Sequence, residues 1–460
     1  MKPATPDAYR LLHHGCIALS NVEANGMRID VGYLERTFKD LDFKIKDLEQ
    51  EIKSDKIFKL WKRQYGERTN LGSREQLGKI LFDVLGHKCD NRTPTGKPKM
   101  DAATIASIEE PFAKLFVEIE QLKKIKNTFL SGIRKQVQDG FIHPVFNLHT
   151  VQTYRSSSDS PNFQNFPIRD PKAGELIRRC FIPREGHRIV EIDYTGLEVR
   201  IAACYHKDPT MLQYIKDESK DMHRDMAAEC FKCKPDQVSK ELRYCGKNMF
   251  VFPQFYGDFY INNAKSLWES IDAMGHEVDG VPMKEHLQQN GIRELGLCEP
   301  QEKPRTGTFE KHLQQVEKRF WNERFPVYGK WKKDWHQKYI RQGGFNTLTG
   351  FKIEGLLGKN DAINYPVQGS AFHCLLWSLI QLNNWLNKNN KRSKLVGQIH
   401  DSIVADVHDD ELDEFLQIAK TIMTKKIRQK FEWINVPLDV EAEITPVNGS
   451  WFEKKEVEIK

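Results

Sequence analysis

An α+β fold follows from three observations on this 460-residue chain. Helical apolar spacing dominates the first 140 residues, and short apolar runs bounded by turn residues begin at 141. Two of these runs, HRIVEI at 187–192 and LVGQI–HDS–IVADV at 395–407, have the composition of buried strands, the second as a pair around a tight polar turn. The length corresponds to about three domains at roughly 150 residues each, enough for a large core.

Taken in order, residues 6–25 and 32–64 read as helices, the second long and laced with Lys and Glu. A short amphipathic helix follows at 74–86, then an exposed basic Pro/Gly loop at 90–100. Helical pattern resumes at 102–137 and ends before Gly140. After the strand at 187–192, residues 204–340 are mainly helical, with an interruption near 275–308 marked by Gly and Pro. Strand-like and helical pieces then alternate to the end. The chain is thus a helical N-terminal region and a mixed core that contains a helical insertion.

Composition narrows the function classes. Hydrophobic residues make up 39% and charged residues 29%, the balance of a globular protein rather than a fibrous or disordered one. The longest apolar run, CLLWSLI at 374–380, falls far short of a membrane span of roughly 18 residues. MKPATPDAYR lacks the apolar stretch of a secretory signal. Nine scattered cysteines with one CxxC, Cys230/Cys233, read as reduced thiols in a reducing compartment. A net charge of +6 permits a polyanionic partner without requiring one.

Two carboxylates stand out. Asp193 ends RIVEID, and Asp401 occupies the tip of the 395–407 hairpin. Each alone reads as a turn residue or helix cap. As a pair at adjacent strand ends, they could hold two Mg²⁺ ions about 3.5–4 Å apart, an arrangement suited to phosphoryl transfer. In ELRYCGKNMFVFPQFYGD, Arg243 and Lys247 share a helical face that Phe250 or Val251 continues. That face could receive a triphosphate and stack a base; it reads equally as a basic amphipathic helix whose Phe residues enter the core. Pro253 should kink or end it. His223 is either a further phosphate donor or a surface histidine.

These residues resemble the polymerase region of family A DNA polymerases, the bacterial DNA polymerase I type. RRCFIPREGHRIVEIDYTGLEVRIAA looks like motif A, with Asp193, Tyr194, Glu198 and Arg200 in place; RYCGKNMFVFPQFYG like motif B; and VGQIHDSIVADV, with His400 and Asp401, like motif C. YRSSSDSPNFQNFP (154–167) resembles the primer-gripping segment, and NYPVQGSA (364–371) the Asn-x3-Gln segment before motif C. NVEANGMRIDVGYLER and VPLDVEAEITPVNGSWFE fit the same order, so the similarity runs nearly end to end.

The resemblance implies a right-hand architecture: 1–30 starts the palm, 31–140 forms the thumb, 141–200 continues the palm, 201–350 forms the fingers and 351–460 completes the palm. It implies template-directed transfer of a deoxynucleoside monophosphate to a primer 3′-hydroxyl. Asp193, Asp401 and the Tyr194 carbonyl would hold two Mg²⁺ ions, with Lys247 catalytic alongside them. Arg243, Lys247 and His223 would bind the triphosphate, Phe250 or Phe252 would stack on the nucleotide, and Tyr256 would lie beside the templating position. Glu198 would exclude a ribose 2′-hydroxyl. Arg155, Asn162, Gln164, Asn165, Asn364, Gln368 and His400 would contact primer–template DNA. Proofreading members carry an Asp-x-Glu exonuclease domain ahead of the first helix, where this chain begins. No exonuclease is therefore expected here, and trimming would fall to a separately encoded exonuclease or another replisome protein. The expected location is the cytoplasm of a bacterial cell, of host or phage origin.

Two departures qualify the match. Lys247 and Tyr256 are nine apart where the family spaces them by eight, leaving Phe250, Val251 and Phe252 as candidates for the stacking position. Gly196 stands where the family often has a polar side chain. Two other classes compete: a single-subunit RNA polymerase, against which Glu198 argues, and a non-catalytic DNA-binding accessory, against which the intact Asp193, Asp401, Arg243 and Lys247 argue.

Overall fold

The computed structural model describes residues 2–89, 92, 93, 96–168 and 170–459. Its centre is a five-stranded antiparallel sheet, in the order Lys394–Ile399, Ser402–His408, His187–Tyr194, Val440–Ile444 and Lys455–Val457. The central strand, His187–Tyr194, buries Ile189, Val190, Ile192 and Tyr194, as its run of branched residues dictates. Register places Asp193 opposite Ser402 on one side and Glu441 on the other. Acidic groups therefore gather at one end of the sheet.

The helix Lys359–Lys388 and the first helix, Pro6–Asn25, pack together, and each also packs on the sheet strand Lys394–Ile399. Pro366 lies inside the long helix and cannot donate to the carbonyl of Ala362 four residues back. The indole of Trp335 supplies the missing bond, Nε1 to Ala362 O at 3.1 Å. The irregularity is thus compensated where Asn364 and Gln368 leave the helix.

The first helix has the expected bounds, but three other helical expectations need correction. The stretch 32–64 is two helices, Val31–Ser54 and Lys56–Tyr65, because Asp55 ends the first and caps the second by accepting from Ile57 N at 2.7 Å. The stretch 74–86 is one α-turn, Arg74–Gly78, followed by π-helical Lys79–Val84. The stretch 102–137 breaks before Pro111, which starts a new helix where its missing N–H costs nothing. Part of the 90–100 loop lies outside the described residues. These N-terminal helices enclose a core of their own, built on Ile52, Trp61, Leu81, Phe112 and Phe116, separate from the main core around the sheet.

Within 204–340 the interruption near 275–308 holds a small hairpin, Glu277–Val278 with Val281–Pro282, and the helix Met283–Gln289. Cys16, Cys180, Cys204, Cys230, Cys233, Cys245, Cys298 and Cys374 form no disulfide. Among the described residues, no helix is long and apolar enough to cross a membrane.

Candidate active site

The floor of the site is the end of the central sheet. Ile399 pairs with Ser402, so His400 and Asp401 form a two-residue turn, with His400 at φ +49°. A left-handed residue is what a tight hairpin demands, and histidine tolerates it better than a branched residue would. The turn is tied to the next strand by Tyr194 N donating to Asp401 O at 3.3 Å, and is held from below by Gln398, whose Nε2 donates to His400 O at 2.8 Å. Asp193 and Asp401 thus share one edge of the sheet. The Tyr194 side chain points into the core, its hydroxyl 2.9 Å from Ser378 Oγ, which leaves only its main chain available at the floor.

Charge at this floor is uncompensated. Crowding by protein pushes Asp193 up to about 7, helped by the Asp401, Glu191 and Glu441 carboxylates, although its side chain stays exposed. Burial pushes Asp401 up to about 6; Glu198 adds to this and Arg155 opposes it. Among the described residues neither forms an ion pair, whereas neighbouring Glu191 is satisfied by Lys454 at 2.6 Å and Trp451 Nε1 at 3.1 Å. Two carboxylates raised by crowding and mutual repulsion are a donor set suited to a hard divalent cation. Among the described residues no group of three or more His, Cys, Asp or Glu is arranged to hold a metal. A cation here would complete its shell from main-chain and substrate oxygens.

The helix Leu197–His206 starts beside this floor. Gly196 enters it at φ +60° and ψ +41°, a left-handed conformation glycine adopts freely and a side chain would strain. Glu198, in its first turn, accepts from Tyr256 Oη at 2.6 Å and from Arg155 Nη1 at 3.4 Å. Burial and the Glu198 carboxylate push the Tyr256 phenol up, so it stays a neutral donor.

The opposite wall is the expected basic helix, in three pieces: Lys240–Cys245, a π-helical turn Gly246–Val251, and Phe252–Tyr256. The wide turn absorbs the residue by which Lys247 and Tyr256 are overspaced, immediately ahead of Pro253, whose ring would otherwise meet the carbonyl of Met249. The turn also decides where the aromatic groups go. Phe250 and Val251 are fully buried, Phe250 edge-on to Phe320 at 5.4 Å. Phe252 instead lines the cleft, with the Lys247 ammonium 5.4 Å and the His223 ring 5.6 Å from its centre. Burial, then Lys247 and Arg243, push His223 down to about 4, so at neutral pH it is an uncharged imidazole. Arg243 is held through Nε by Asp221 Oδ2 at 2.5 Å.

Eight of the residues singled out from sequence meet in one cleft, which Asp193, Tyr194, His223, Arg243 and Lys247 do not line. The eight are Arg155, Glu198, Phe252, Tyr256, Asn364, Gln368, His400 and Asp401. Arg155, Gln368 and His400 also line an adjoining groove with Gln164. Asn364 Nδ2 donates to Tyr256 O at 3.1 Å. Asn162 and Asn165 flank Gln164 as exposed residues and line neither hollow. Sequence reasoning missed Ser156 and Gln398, which with Gln164 form a buried hydrogen-bonded cluster: Gln164 Nε2 lies 2.8 Å from both Ser156 Oγ and Gln398 Oε1. A glutamine inside the apolar run LVGQI was the available signal. Glu441, a charge within VEAEI, was also missed, as were Asn248 and Tyr328 of the cleft wall.

Comparison with known proteins shows the family. The profile described as DNA polymerase family A matches residues 32–273 and 319–451, and the chain belongs to that family. It is 29% identical over 430 residues to a DNA polymerase of Bacillus phage SP01, covering 88% of this chain and 42% of that protein. It is 27% identical over 455 residues to the thermostable DNA polymerase I of Thermus thermophilus, covering 95% and 47%. The chain thus spans less than half the length of these relatives. The polymerase domain of Pol1 from M. smegmatis, solved with DNA primer-template and dNTP, superposes with a TM-score of 0.72 at 24% identity, over 95% of this chain and 69% of that one. The fold is therefore the right-hand fold of the family.

Proposed function

We propose that this chain is a DNA-directed DNA polymerase that adds deoxynucleoside monophosphates from dNTPs to a primer 3′-hydroxyl. One observation carries the reading: two carboxylates outside any ion pair among the described residues, Asp193 and Asp401, share one edge of the central sheet, and Asp401 lines a cleft whose walls present Glu198, Tyr256 and Phe252. Asp193 and Asp401, with the Tyr194 carbonyl, would hold two Mg²⁺ ions. Bound there, the ions would acidify the primer hydroxyl and neutralise charge on the triphosphate.

The chain's own residues do the rest. Arg243 offers a forked donor and Lys247 a point charge to the phosphates. Neutral His223 adds a hydrogen bond, and Phe252 gives the incoming base a flat surface. Glu198, fixed by Tyr256 and Arg155, fills the space beside the sugar. Gln164, Gln368, His400, Arg155 and Asn364, with exposed Asn162 and Asn165, would hold primer–template DNA near its end. The sheet would be the palm, built from 1–30, 141–200 and 351–460; the separate N-terminal core would belong to a thumb at 31–140; and 201–350 would form the fingers.

Primer extension tests this. Templated dNTP incorporation that depends on Mg²⁺ and disappears in Asp401→Asn is the expected result. A chain that binds primer–template without extending it would instead be an accessory. We further propose that these 460 residues extend without trimming, so a labelled 3′-mismatched primer should survive incubation with Mg²⁺ unshortened.

A further inference from the structure

Asp221 touches two of the groups assigned above to the triphosphate. It is the N-cap of the helix Met222–Phe231, where its Oδ1 accepts from the main-chain N–H groups of His223 and Arg224, both at 3.0 Å. Its Oδ2 accepts from Arg243 Nε at 2.5 Å, on the neighbouring helix Lys240–Cys245. A cap needs only one oxygen; Ser239 caps the helix of Arg243 with its single hydroxyl. The second oxygen of Asp221 is therefore free for the guanidinium. Burial acts to raise this carboxyl, but the Arg243 hydrogen bond, the Arg224 N–H and the Arg243 charge outweigh it and hold the group below the usual range. It is an anion in the working pH range.

The side of Arg243 that is held matters. Contact through Nε leaves Nη1 and Nη2 outside the ion pair, and those two nitrogens make the fork that grips a phosphate. Asp221 also fixes the first turn of the helix carrying His223, whose Nδ1 is buried without a hydrogen-bond partner. His223 in turn lies against Phe252, over which Lys247 stands.

We propose that Asp221 is a positioning residue for the triphosphate: one carboxylate fixes the guanidinium of Arg243 and the helix start bearing His223 as a preformed pair of donors. The inference rests on the reading of Arg243 given under the proposed function. An anion here forfeits some attraction for the triphosphate, but a long, flexible side chain is ordered before the ligand arrives, which lowers the entropic cost of binding.

Steady-state extension kinetics on the full chain test it. Asp221→Asn keeps the cap and the shape but loses the charge and the second acceptor. The KM for dNTP should rise about three- to tenfold, the size of one lost charge-assisted hydrogen bond, with kcat changed by less than about twofold. Asp221→Ser, which also caps, should behave alike and guards against a misfolded Asn variant. In an Arg243→Ala background Asp221→Asn should add nothing further, because the two act as one unit. An unchanged KM in both Asp221 variants would leave Asp221 a helix cap only, and a lowered KM would make it a competitor of the phosphates; either result overturns the proposal. If Arg243→Ala itself leaves the KM unchanged, the reading of Arg243 falls first and takes this inference with it.

Discussion

Tyr256 donates its phenolic hydrogen to Glu198 at 2.6 Å, joining the wall of the cleft that carries the basic helix to the floor that carries Asp193. Arg155 reaches the other oxygen of the same carboxylate. Glu198 is thus fixed at both oxygens and cannot swing aside for a bulkier sugar. Glu198→Ala should raise the ratio of rNTP to dNTP incorporation efficiency by at least about tenfold, since removing a clash admits a substrate more sharply than removing a contact weakens one. Competition between the two nucleotide types on one template measures the ratio. An unchanged ratio would reduce Glu198 to a tether for Tyr256 and remove the main argument against an RNA polymerase.

The π-turn at Gly246–Val251 separates two phenylalanines that the sequence leaves equivalent. Phe252→Ala should raise the KM for dNTP about tenfold with little loss of stability, because the ring stands in the cleft against Lys247 and His223. Phe250→Ala should instead destabilise by about 3–5 kcal/mol through the cavity it leaves beside Phe320, without a selective effect on nucleotide use. Denaturant melts and nucleotide titrations of both variants discriminate between the two sites; swapped behaviour would reverse the assignment.

The contrast between these rings shows where sequence reasoning works. Asp193 and Asp401 were legible because a carboxylate ending a branched apolar run has few uses, and the order of the motifs placed them together. The first helix was legible from its spacing, and the structure adds the Thr5 cap that starts it. Phe250 and Phe252 were not, because only the three-dimensional course of the backbone says which way each ring points after an extra residue. The break at Asp55 was hidden in the same way: a single residue ends one helix and caps the next, while the apolar pattern runs on across it. The Ser156–Gln164–Gln398 cluster joins residues 242 apart in the chain, a distance that no local pattern spans.

Arg243→Ala and Lys247→Ala should each weaken dNTP use more than primer–template affinity. Lys247 stands over the ring that faces the cleft, Arg243 precedes it by four residues, and neither lines the groove that holds Gln164. DNA affinity itself should fall steeply with salt in all variants, as phosphate contacts release counterions. If both variants lose duplex binding while nucleotide dependence stays put, the basic helix faces DNA instead.

Asp193 and Asp401 make a prediction that needs no turnover. Their folded-state values, about 7 and about 6, lie above those of a carboxyl in the unfolded chain, near 3.9. The folded protein therefore binds these protons more tightly than the unfolded chain does. The resulting stabilisation is fully present below about pH 4 and is lost as pH rises through about 7. Asparagine mimics the protonated form at every pH. In metal-free buffer, Asp193→Asn should then melt at the same temperature as the parent near pH 4 and progressively above it toward pH 8, because each carboxylate in the parent must stay charged among its neighbours. Adding Mg²⁺ at about pH 8 should raise the melting temperature of the parent and close the gap, since a ligand that binds only the folded state stabilises it by mass action. The same addition should do little for Asp193→Asn or Asp401→Asn. Asp401→Asn should also lose extension by at least about a hundredfold while keeping primer–template affinity. A melting difference that is flat in pH, together with equal Mg²⁺ responses in all three proteins, would show that these carboxylates are turn residues and that no cation depends on them.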